Sequence, residues 1–181
     1  MRFPQTIPVL CVAIVVGVLQ AGIAGAANDL ARVLKQRYQL SAIEVQNAGA
    51  AGVVRRPGTR FRLQADGVPA KPFRVAQLNT KSPRFHVDDF AEVQIVSDRA
   101  VGIEPGTLNL PKGTEVVLLD LTVHGNQVRL FTHTAQKLAG PGGRPTYECT
   151  EFVFRFDPGS VRPEDAALVE SVIERWLAPI A

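Results

Sequence analysis

The chain of 181 residues is poor in cysteine, with Cys11 inside an N-terminal apolar run and Cys149 in its last third. If that run is removed, a single thiol is left, and one thiol excludes an internal disulfide. A domain of about 150 residues buries roughly 70% of the surface its unfolded chain exposes, so it needs no such cross-link. We interpret Cys149 as a small, half-buried residue on a strand. A reactive thiol or an intermolecular bridge is the alternative.

Histidine is also scarce, and its three positions are His86, His124 and His133. His86 precedes Asp88 and Asp89, which offers a ring nitrogen and carboxylates to a metal. However, no second histidine lies nearby at ligand spacing. The sequence therefore predicts no metal site, and the three histidines are interpreted as surface polar residues.

Motifs for catalysis and for cofactor binding are missing. No nucleophile motif surrounds Cys149, although folding could bring His133 near it. The glycine-rich segment 140–143 lacks the Lys-Ser/Thr of a phosphate loop. Glu148 and Glu151 would point to opposite faces of a strand, but the separation of other carboxylates is a three-dimensional quantity. We predict no catalytic residue and no cofactor, and a hydrolase with an unrecognised site is kept as an alternative.

Residues 1–26 have the features of a secretory signal peptide. A short positive start precedes an apolar run from Ile7 to Leu19, and Ala24-Gly25-Ala26 fits the small-x-small cleavage pattern. We predict cleavage before Ala27 and a periplasmic or secreted protein with no membrane span after cleavage. The alternative is an uncleaved anchor, although the run is short for a span of about 20 residues.

The clearest local structure is a β-hairpin over Lys112–Thr134. His124-Gly125-Asn126 forms its turn, because two of these residues tolerate positive φ. Four apolar residues recur at every second position and are predicted to share one face: Val117, Leu119, Leu121 and Val123. A lone hairpin is only marginally stable in water, so further elements must cover it.

The rest of the chain predicts those elements. A strand near residues 150–157 places three phenylalanines on one face, where they meet either Val128 and Leu130 or Leu119 and Leu121. A short helix is predicted over Asn28–Tyr38. A second, amphipathic helix is predicted over Pro163–Leu177, because four apolar residues follow helical spacing: Val169, Val172, Ile173 and Trp176. The predicted fold is α+β: a mainly antiparallel sheet or partly open small barrel, with a short N-terminal helix and a C-terminal amphipathic helix.

Charge is divided unevenly along the chain. Residues 28–84 contain eleven Lys and Arg against three acids, whereas residues 85–181 contain eight against fourteen. The basic half includes a candidate polyanion-binding set: Arg55, Arg56, Arg60, Arg62 and Arg74. A positive strip could bind phosphate groups of a polyanion or of anionic lipid. The other interpretations are a solvated face and a surface that pairs with the acidic half of the same chain.

The C-terminal part resembles a group of exported bacterial proteins of unknown function. The matching segments are Lys112–Val116, Gly125–Val128, Phe152–Asp157 and Val169–Trp176. The strands that follow Gly-Thr turns also resemble those of bacterial SH3-type barrels. Neither resemblance implies a catalytic residue.

These observations predict a signal peptide over 1–26 and a single β-rich domain over 27–181. The function predicted from them is a non-enzymatic, exported binding or structural module of the bacterial envelope. Its partner would be an envelope protein or polymer, whereas nucleic acid is disfavoured because aromatic residues are not interleaved with the arginines. The alternatives are polyanion or anionic-lipid binding and the hydrolase named above.

Overall fold

The fold is described from a computed structural model, over residues 28–44, 53–75, 77–78, 85–87, 89–140 and 143–180. The predicted signal peptide lies outside these described residues. Within them the chain is strand-rich, with a curled half-barrel sheet and a few short helices. The β-rich part of the predicted fold is therefore confirmed.

The helices are short and lie near the two ends of the described chain. Helix α1 spans residues 28–37, a 3₁₀ turn spans Pro163–Asp165, and α2 spans Ala166–Glu174. The strands, in chain order, are β1 (Ala42–Glu44), β2 (Val53–Arg56), β3 (Arg60–Leu63), β4 (Val68–Pro72), β5 (Gln77–Leu78), β6 (Phe85–His86), β7 (Ala91–Val96), β8 (Arg99–Glu104), β9 (Leu108–Leu110), β10 (Glu115–His124), β11 (Gln127–Thr134), β12 (Leu138–Ala139), β13 (Pro145–Thr146), β14 (Glu148–Arg155) and β15 (Leu177–Ile180).

Nine of these strands form the main sheet: seven follow the order β15-β3-β10-β11-β14-β4-β9, and β7 and β8 join it beside β14. The sheet branches at β14. Its residues Glu148 and Cys149 pair with β4, whereas Thr150–Arg155 pair with β7, which in turn pairs with β8. Every pairing in this sheet is antiparallel except that of β14 with β7.

The predicted hairpin is present as β10 and β11, with Gly125 at φ +56° in its turn. The predicted alternation of β10 is wrong at one point. Leu118 pairs with Thr132 and Asp120 with the next residue, Phe131, so Leu119 is an extra, bulged residue. A bulge reverses which face the following side chains occupy.

The bulge divides the apolar residues of β10 between two clusters. Four of them lie in the main core: Val116, Leu118, Leu121 and Val123. Val117 and Leu119 instead lie in a second cluster. Strict alternation would have put Leu119 and Leu121 on the same face, so the prediction failed because it assumed an unbroken strand.

The main core is organised by the aromatic strand β14. Phe152 and Phe154 are fully buried, and Phe156 packs beside them. Leu130 pairs with Phe152 and Val128 with Phe154, so the first of the two predicted contacts is confirmed. Burial of each such ring contributes about 1.5–3 kcal/mol, which makes this row a main source of stability.

Both helices pack on this core, but the C-terminal one is shorter than predicted. Helix α2 buries Val169 and Ile173, whereas Leu168 is 55% exposed and does not widen the apolar stripe. The helix ends at Glu174, and Leu177 begins β15, which pairs with β3. An edge strand tolerates a proline because its outward amide needs no partner, which is consistent with a strand that includes Pro179.

Two Pro-Gly-Thr turns share one structural role. A Cβ on Gly58 would lie 2.1 Å from the Gln39 carbonyl oxygen, and a Cβ on Gly106 would lie 2.3 Å from that of Ala70. In both turns the threonine that follows donates its amide hydrogen to that same carbonyl, over 2.8 and 2.9 Å. Glycine is required at these positions because two backbones approach closely.

Candidate functional site

The main sheet has a second face, opposite the main core, which carries its own apolar cluster. We call this group the second cluster. Its buried residues are Phe73, Val75, Val87, Val117, Leu119 and Cys149, and partly buried residues packed against it are Ile43, Val54, Phe90, Phe131, Ala135 and Tyr147. The strand pair β1–β2 contributes Ile43 and Val54, although it forms a separate two-stranded sheet.

A single row of paired residues crosses the second face. It runs from Arg60 on β3 through Val117, His133 and Cys149 to Lys71 on β4. His133 is only 1% exposed. The interpretation of this histidine as a surface residue is therefore wrong, because β11 continues to Thr134 and places it in the middle of the sheet.

The imidazole of His133 is surrounded by aromatic rings. Its centroid lies 4.8 Å from that of Tyr147, in a stacked arrangement, and 5.2 Å from that of Phe73. Nδ1 lies 2.7 Å from the Thr134 carbonyl oxygen, so Nδ1 carries the hydrogen. Nε2 is then a bare acceptor, and it has no hydrogen-bond partner among the described residues. Burial lowers the pKa of His133, because the interior disfavours its charged form.

Cys149 on β14 pairs directly with His133 on β11. The structure therefore places side by side two residues whose proximity could not be decided from the sequence. The Cys149 side chain is fully buried rather than half-buried. Burial, with smaller contributions from the charges of Glu148 and Asp89, raises the pKa of this thiol to about 12. Since the thiolate is the reactive species, this pair lacks the properties of a cysteine nucleophile with its base.

The second face also carries a network of planar polar side chains. Arg129 Nη1 lies 3.0 Å from Glu151 Oε2 and 4.0 Å from Glu92 Oε2, and Arg129 Nη2 donates to Gln127 over 3.2 Å. Gln94 donates to Glu92 Oε1 over 2.6 Å. We call these residues the Arg129 network.

The two carboxyls of the Arg129 network are close neighbours. Glu92 and Glu151 pair in register on the parallel strands β7 and β14, and both carboxyls contact Arg129 Nη1. Burial raises the pKa of Glu151, Arg129 opposes this shift, and the Glu92 charge adds to it.

A pair of aromatic rings adjoins this network. Phe131 pairs in register with Glu151 on β14, and its ring meets that of Phe90 edge-on at 5.5 Å. Phe73 lies 6.4 Å from Phe131 on the other side. Phe90 and Phe131 are only partly buried, so they present apolar surface beside the polar network.

The five predicted polyanion-binding arginines are not equally free. Arg60 and Arg62 share the carboxylate of Glu115, with Arg62 Nη2 at 3.4 Å, and Arg55 forms an ion pair with Glu44. The remaining two, Arg56 and Arg74, are exposed and have no acidic partner among the described residues.

These ion pairs support one of the interpretations of the basic half. One carboxylate, that of Glu115 in the acidic half of the chain, neutralises both Arg60 and Arg62. The Arg60 guanidinium, followed by that of Arg62, lowers the pKa of Glu115 despite partial desolvation. Intramolecular pairing between the two halves therefore accounts for part of the predicted strip.

A buried carboxyl lies on the core side of β14. Glu148 is 0% exposed, and its Oε1 accepts a hydrogen bond from Thr146 over 2.6 Å. Its Oε2 has no partner among the described residues. Burial raises the pKa of Glu148, while the Thr146 hydroxyl opposes the shift. Glu151 belongs to the opposite face, as strand alternation predicted.

The other two histidines are His124 and His86. His124 is exposed at the end of β10, and the side chain of His86 lies outside the described part of the structure. Among the described residues, no three His, Cys, Asp or Glu side chains are grouped so that they could bind a metal ion. The helices in that part of the chain are too short or too polar to cross a membrane.

Sequence reasoning missed the Arg129 network and the burial of His133. One signal was available for the second face. Val128 and Leu130 fill one face of β11, so Phe131 and His133 share the other, where a phenylalanine is unexpected on a solvated surface. No such signal exists for Glu92 and Glu151, which come from distant parts of the chain.

Comparison of the chain with protein-family models, with curated proteins and with solved structures finds no match. The resemblances to exported bacterial proteins and to SH3-type barrels are therefore predictions from the sequence.

Proposed function

We propose that the chain is a non-enzymatic, exported binding module of the bacterial envelope, and that the second face of its sheet binds an envelope polymer. One observation carries this proposal. The partly exposed Phe90 and Phe131 rings lie directly beside the Arg129 network, which offers hydrogen-bond donors and acceptors in one small area.

The composition of the face favours a hydroxyl-rich ligand of low charge. Apolar aromatic surface with a few fixed polar groups is the usual make-up of a specific ligand site. Arg129 supplies one positive charge against the two carboxyls of Glu92 and Glu151, so the network carries no excess positive charge. A polyanion would be repelled here, whereas hydroxyl groups can both donate to and accept from these side chains.

One observation supports a binding role over a hydrolytic one. The thiol of Cys149 is fully buried with a pKa of about 12, which leaves almost no thiolate at neutral pH. Cys149 and His133 therefore lack the properties of a nucleophile with its base.

For the finer fold class, we propose an α+β arrangement in which the half-barrel is a partly open small barrel of SH3 type. Its support is the curled sheet and the packing of Leu34 and Ile173, from the two helices, in one core with β3 and β10. Helices packed on one face of an antiparallel sheet are typical of this class.

The export part of the proposal rests on the sequence of residues 1–26 and has a direct test. We expect the protein recovered from the periplasm or medium of an expressing bacterium to begin at Ala27. N-terminal sequencing or intact mass gives the answer, and recovery of a chain that still begins at Met1 would contradict the prediction.

Polymer binding can be tested by cosedimentation with purified peptidoglycan sacculi. We expect the wild-type chain to sediment with the sacculi, and Arg129→Gln and Phe90→Ser to reduce the bound fraction about tenfold, the equivalent of roughly 1.4 kcal/mol. Arg162→Gln, an exposed substitution outside the second face, is the matched control and should bind like the wild type.

Circular dichroism of each variant shows whether it is folded. If the chain fails to sediment, or if both variants on the second face bind like the control, the second face is not a polymer-binding site.

A second candidate function is binding of polyanions or anionic lipid by Arg55, Arg56, Arg60, Arg62 and Arg74. Arg56 and Arg74 favour it, because both are exposed and have no acidic partner in the part of the chain that the structure describes. The carboxylates of Glu44 and Glu115 oppose it, because they neutralise part of the strip.

A further inference from the structure

The buried imidazole of His133 has one satisfied nitrogen and one unsatisfied nitrogen. Nδ1–H donates to the Thr134 carbonyl oxygen over 2.7 Å, whereas Nε2 has no partner among the described residues. A buried polar atom without a partner lowers the stability of the folded state, so a histidine with one unsatisfied nitrogen in the centre of a sheet suggests a role other than packing.

We propose that His133 is a pH-sensitive latch: its protonation opens the second cluster, uncovers Cys149 and disorders the aromatic part of the second face. The consequence for ligand binding rests on the function proposed above. The opening itself is a property of the fold and can be measured without any ligand.

The surroundings of His133 leave a proton on Nε2 without an acceptor. The rings of Phe73 and Tyr147 lie against the imidazole, and the Cys149 side chain faces it across the strand pair. A thiol with a raised pKa stays protonated and does not provide a negative charge. An imidazolium here would be a buried, unpaired charge, which is among the costliest changes a core can undergo.

The charged groups on the elements packed around His133 do not compensate for such a charge. They are Arg60 on β3, Glu115 and Asp120 on β10, Arg129 on β11, Lys71 on β4, Glu148 and Glu151 on β14, Asp89 before β7, and Lys137 over the Tyr147 ring. Arg60 and Lys71 lie in the same row as His133 and are cations. Glu115 is paired with Arg60 and Asp89 with Lys71. Glu148, whose Oε2 has no partner among the described residues, lies on the core side of β14, the face opposite that of His133.

The second cluster is suited to open by itself. It is much smaller than the main core, and it is covered by separate segments, including the β1–β2 pair and residues 73–75. Among the described residues the β1–β2 pair forms no strand pairing with the main sheet, and Ser41 and Thr59, which flank it, are joined to β10 by single backbone hydrogen bonds. Segments fixed by few buried contacts open with less free energy than the whole domain requires.

The direction of the pH effect follows from the lowered pKa of His133. In the closed state the neutral form is favoured, whereas in an opened state the pKa returns towards its ordinary value of 6.5. The closed state is therefore fully stable above about pH 6.5 and loses stability as the pH falls below it. Glu148 and Glu151 act in the opposite direction, because their raised pKa values favour the closed state as the pH falls towards 4.5.

Cys149 is a built-in reporter of the opening, because it is fully buried beside His133. We would measure its labelling by 4,4′-dithiodipyridine, which reacts in acid, in the full chain carrying Cys11→Ser. Between about pH 7 and about pH 5 we expect the labelling rate to rise by about tenfold or more, because protonation of His133 favours the opened state. Trp176, which packs on the main core, should keep its fluorescence over the same range.

Two substitutions separate the latch from general acid sensitivity. His133→Gln, which stays neutral at every pH, should abolish the rise in labelling, and His133→Phe is the apolar second variant. His124→Gln, at an exposed position, is the matched control and should behave like the wild type. A labelling rate that does not change with pH, an equal rise in His133→Gln, or a parallel change at Trp176 would each overturn the latch.

Peptidoglycan cosedimentation at the two pH values then connects the latch to the proposed function. We expect the bound fraction of the wild type to fall in acid, because Phe131 and Phe90 pack on the second cluster, and that of His133→Gln to stay constant. If the chain never binds peptidoglycan but Cys149 still opens in acid, the proposed ligand is wrong and the latch stands. If binding occurs but labelling does not depend on pH, the latch is wrong and the function stands.

Discussion

The phenol of Tyr38 donates a hydrogen bond to Glu174 Oε1 over 3.2 Å and so joins the residue after α1 to the last residue of α2. The ring itself is buried and meets that of Phe61 edge-on at 5.4 Å. Burial, followed by the Glu174 charge, raises the pKa of Tyr38, so the phenol stays protonated at neutral pH and can act as a donor. The two terminal helices are thus joined over the main core.

Removal of this hydroxyl alone should have a small effect. We expect Tyr38→Phe to lower the free energy of unfolding by about 1 kcal/mol, the usual contribution of one hydrogen bond. Tyr38→Ala should cost about 3–5 kcal/mol, because it also leaves a cavity beside Phe61. Urea unfolding measures both. Equal losses in the two variants would show that the hydroxyl, rather than the ring, carries the stability.

The close backbone approach at Gly58 predicts a strong effect of a single methyl group. A Cβ there would overlap the Gln39 carbonyl and the Leu40 backbone, so Gly58→Ala should lower the free energy of unfolding by about 2–3 kcal/mol. Gly102→Ala is the control, because a Cβ there meets Gln94 at 3.4 Å in ordinary contact. It should change stability by less than about 1 kcal/mol. Thermal unfolding of the pair tests the prediction, and similar losses would contradict it.

The buried Glu148 carboxyl should make the stability of the wild type depend on pH, and its replacement by glutamine should remove that dependence. Its raised pKa means that the folded state prefers the protonated acid, so the wild type loses stability as the pH rises above the ordinary value of 4.5. Glu148→Gln removes that loss. We expect it to be the more stable protein at neutral pH, by on the order of 1 kcal/mol, with the difference vanishing in acid.

Melting temperatures from about pH 4 to about pH 8 test this prediction. Glu164→Gln is the control, because Glu164 has a side chain that is 67% exposed. A Glu148→Gln variant that is less stable than the wild type at neutral pH would show that the ionised carboxylate has a partner.

Polyanion binding by the arginine strip can be tested by removing the carboxylate that pairs with two of its arginines. Glu115 binds both Arg60 and Arg62, so Glu115→Gln should leave both guanidiniums free and raise the salt concentration needed for elution from heparin. Glu164→Gln changes the net charge equally at a site away from β3 and serves as the control. If both variants elute together, or if no form is retained at low salt, the strip does not bind polyanions.

Local sequence patterns correctly predicted the elements that depend on residues close together along the chain. The hairpin, the aromatic strand β14 and the start of α1 all follow from spacing, because their residues occur close together in sequence. Prediction failed where a distant contact decided the outcome. Leu177 continues a helical stripe by spacing, yet it joins β15 because the open edge of β3 offers it backbone partners.

The candidate site shows the same difference between what local sequence pattern predicts and what contacts between distant residues decide. The arginines of the basic half were visible as a set, but their acidic partners, such as Glu115, were not, because an ion pair depends on distance in space. Likewise, Glu92 and Glu151 became neighbours only because β7 pairs in parallel with β14. Two parallel strands are joined by a long connection, so no local sequence pattern indicates that they pair.

The sequence alone determined that this chain is β-rich, that its phenylalanines organise a core and that a single cysteine occurs in its last third. These properties depend on side-chain chemistry and period-two spacing, which are local. Only the tertiary structure decided that Leu119 forms a bulge, that His133 is buried opposite Cys149 and that the sheet has a second apolar face. The physical reason is that strand register and burial are set by partners that are distant along the chain, and one extra residue in a strand reverses the face of all those that follow it.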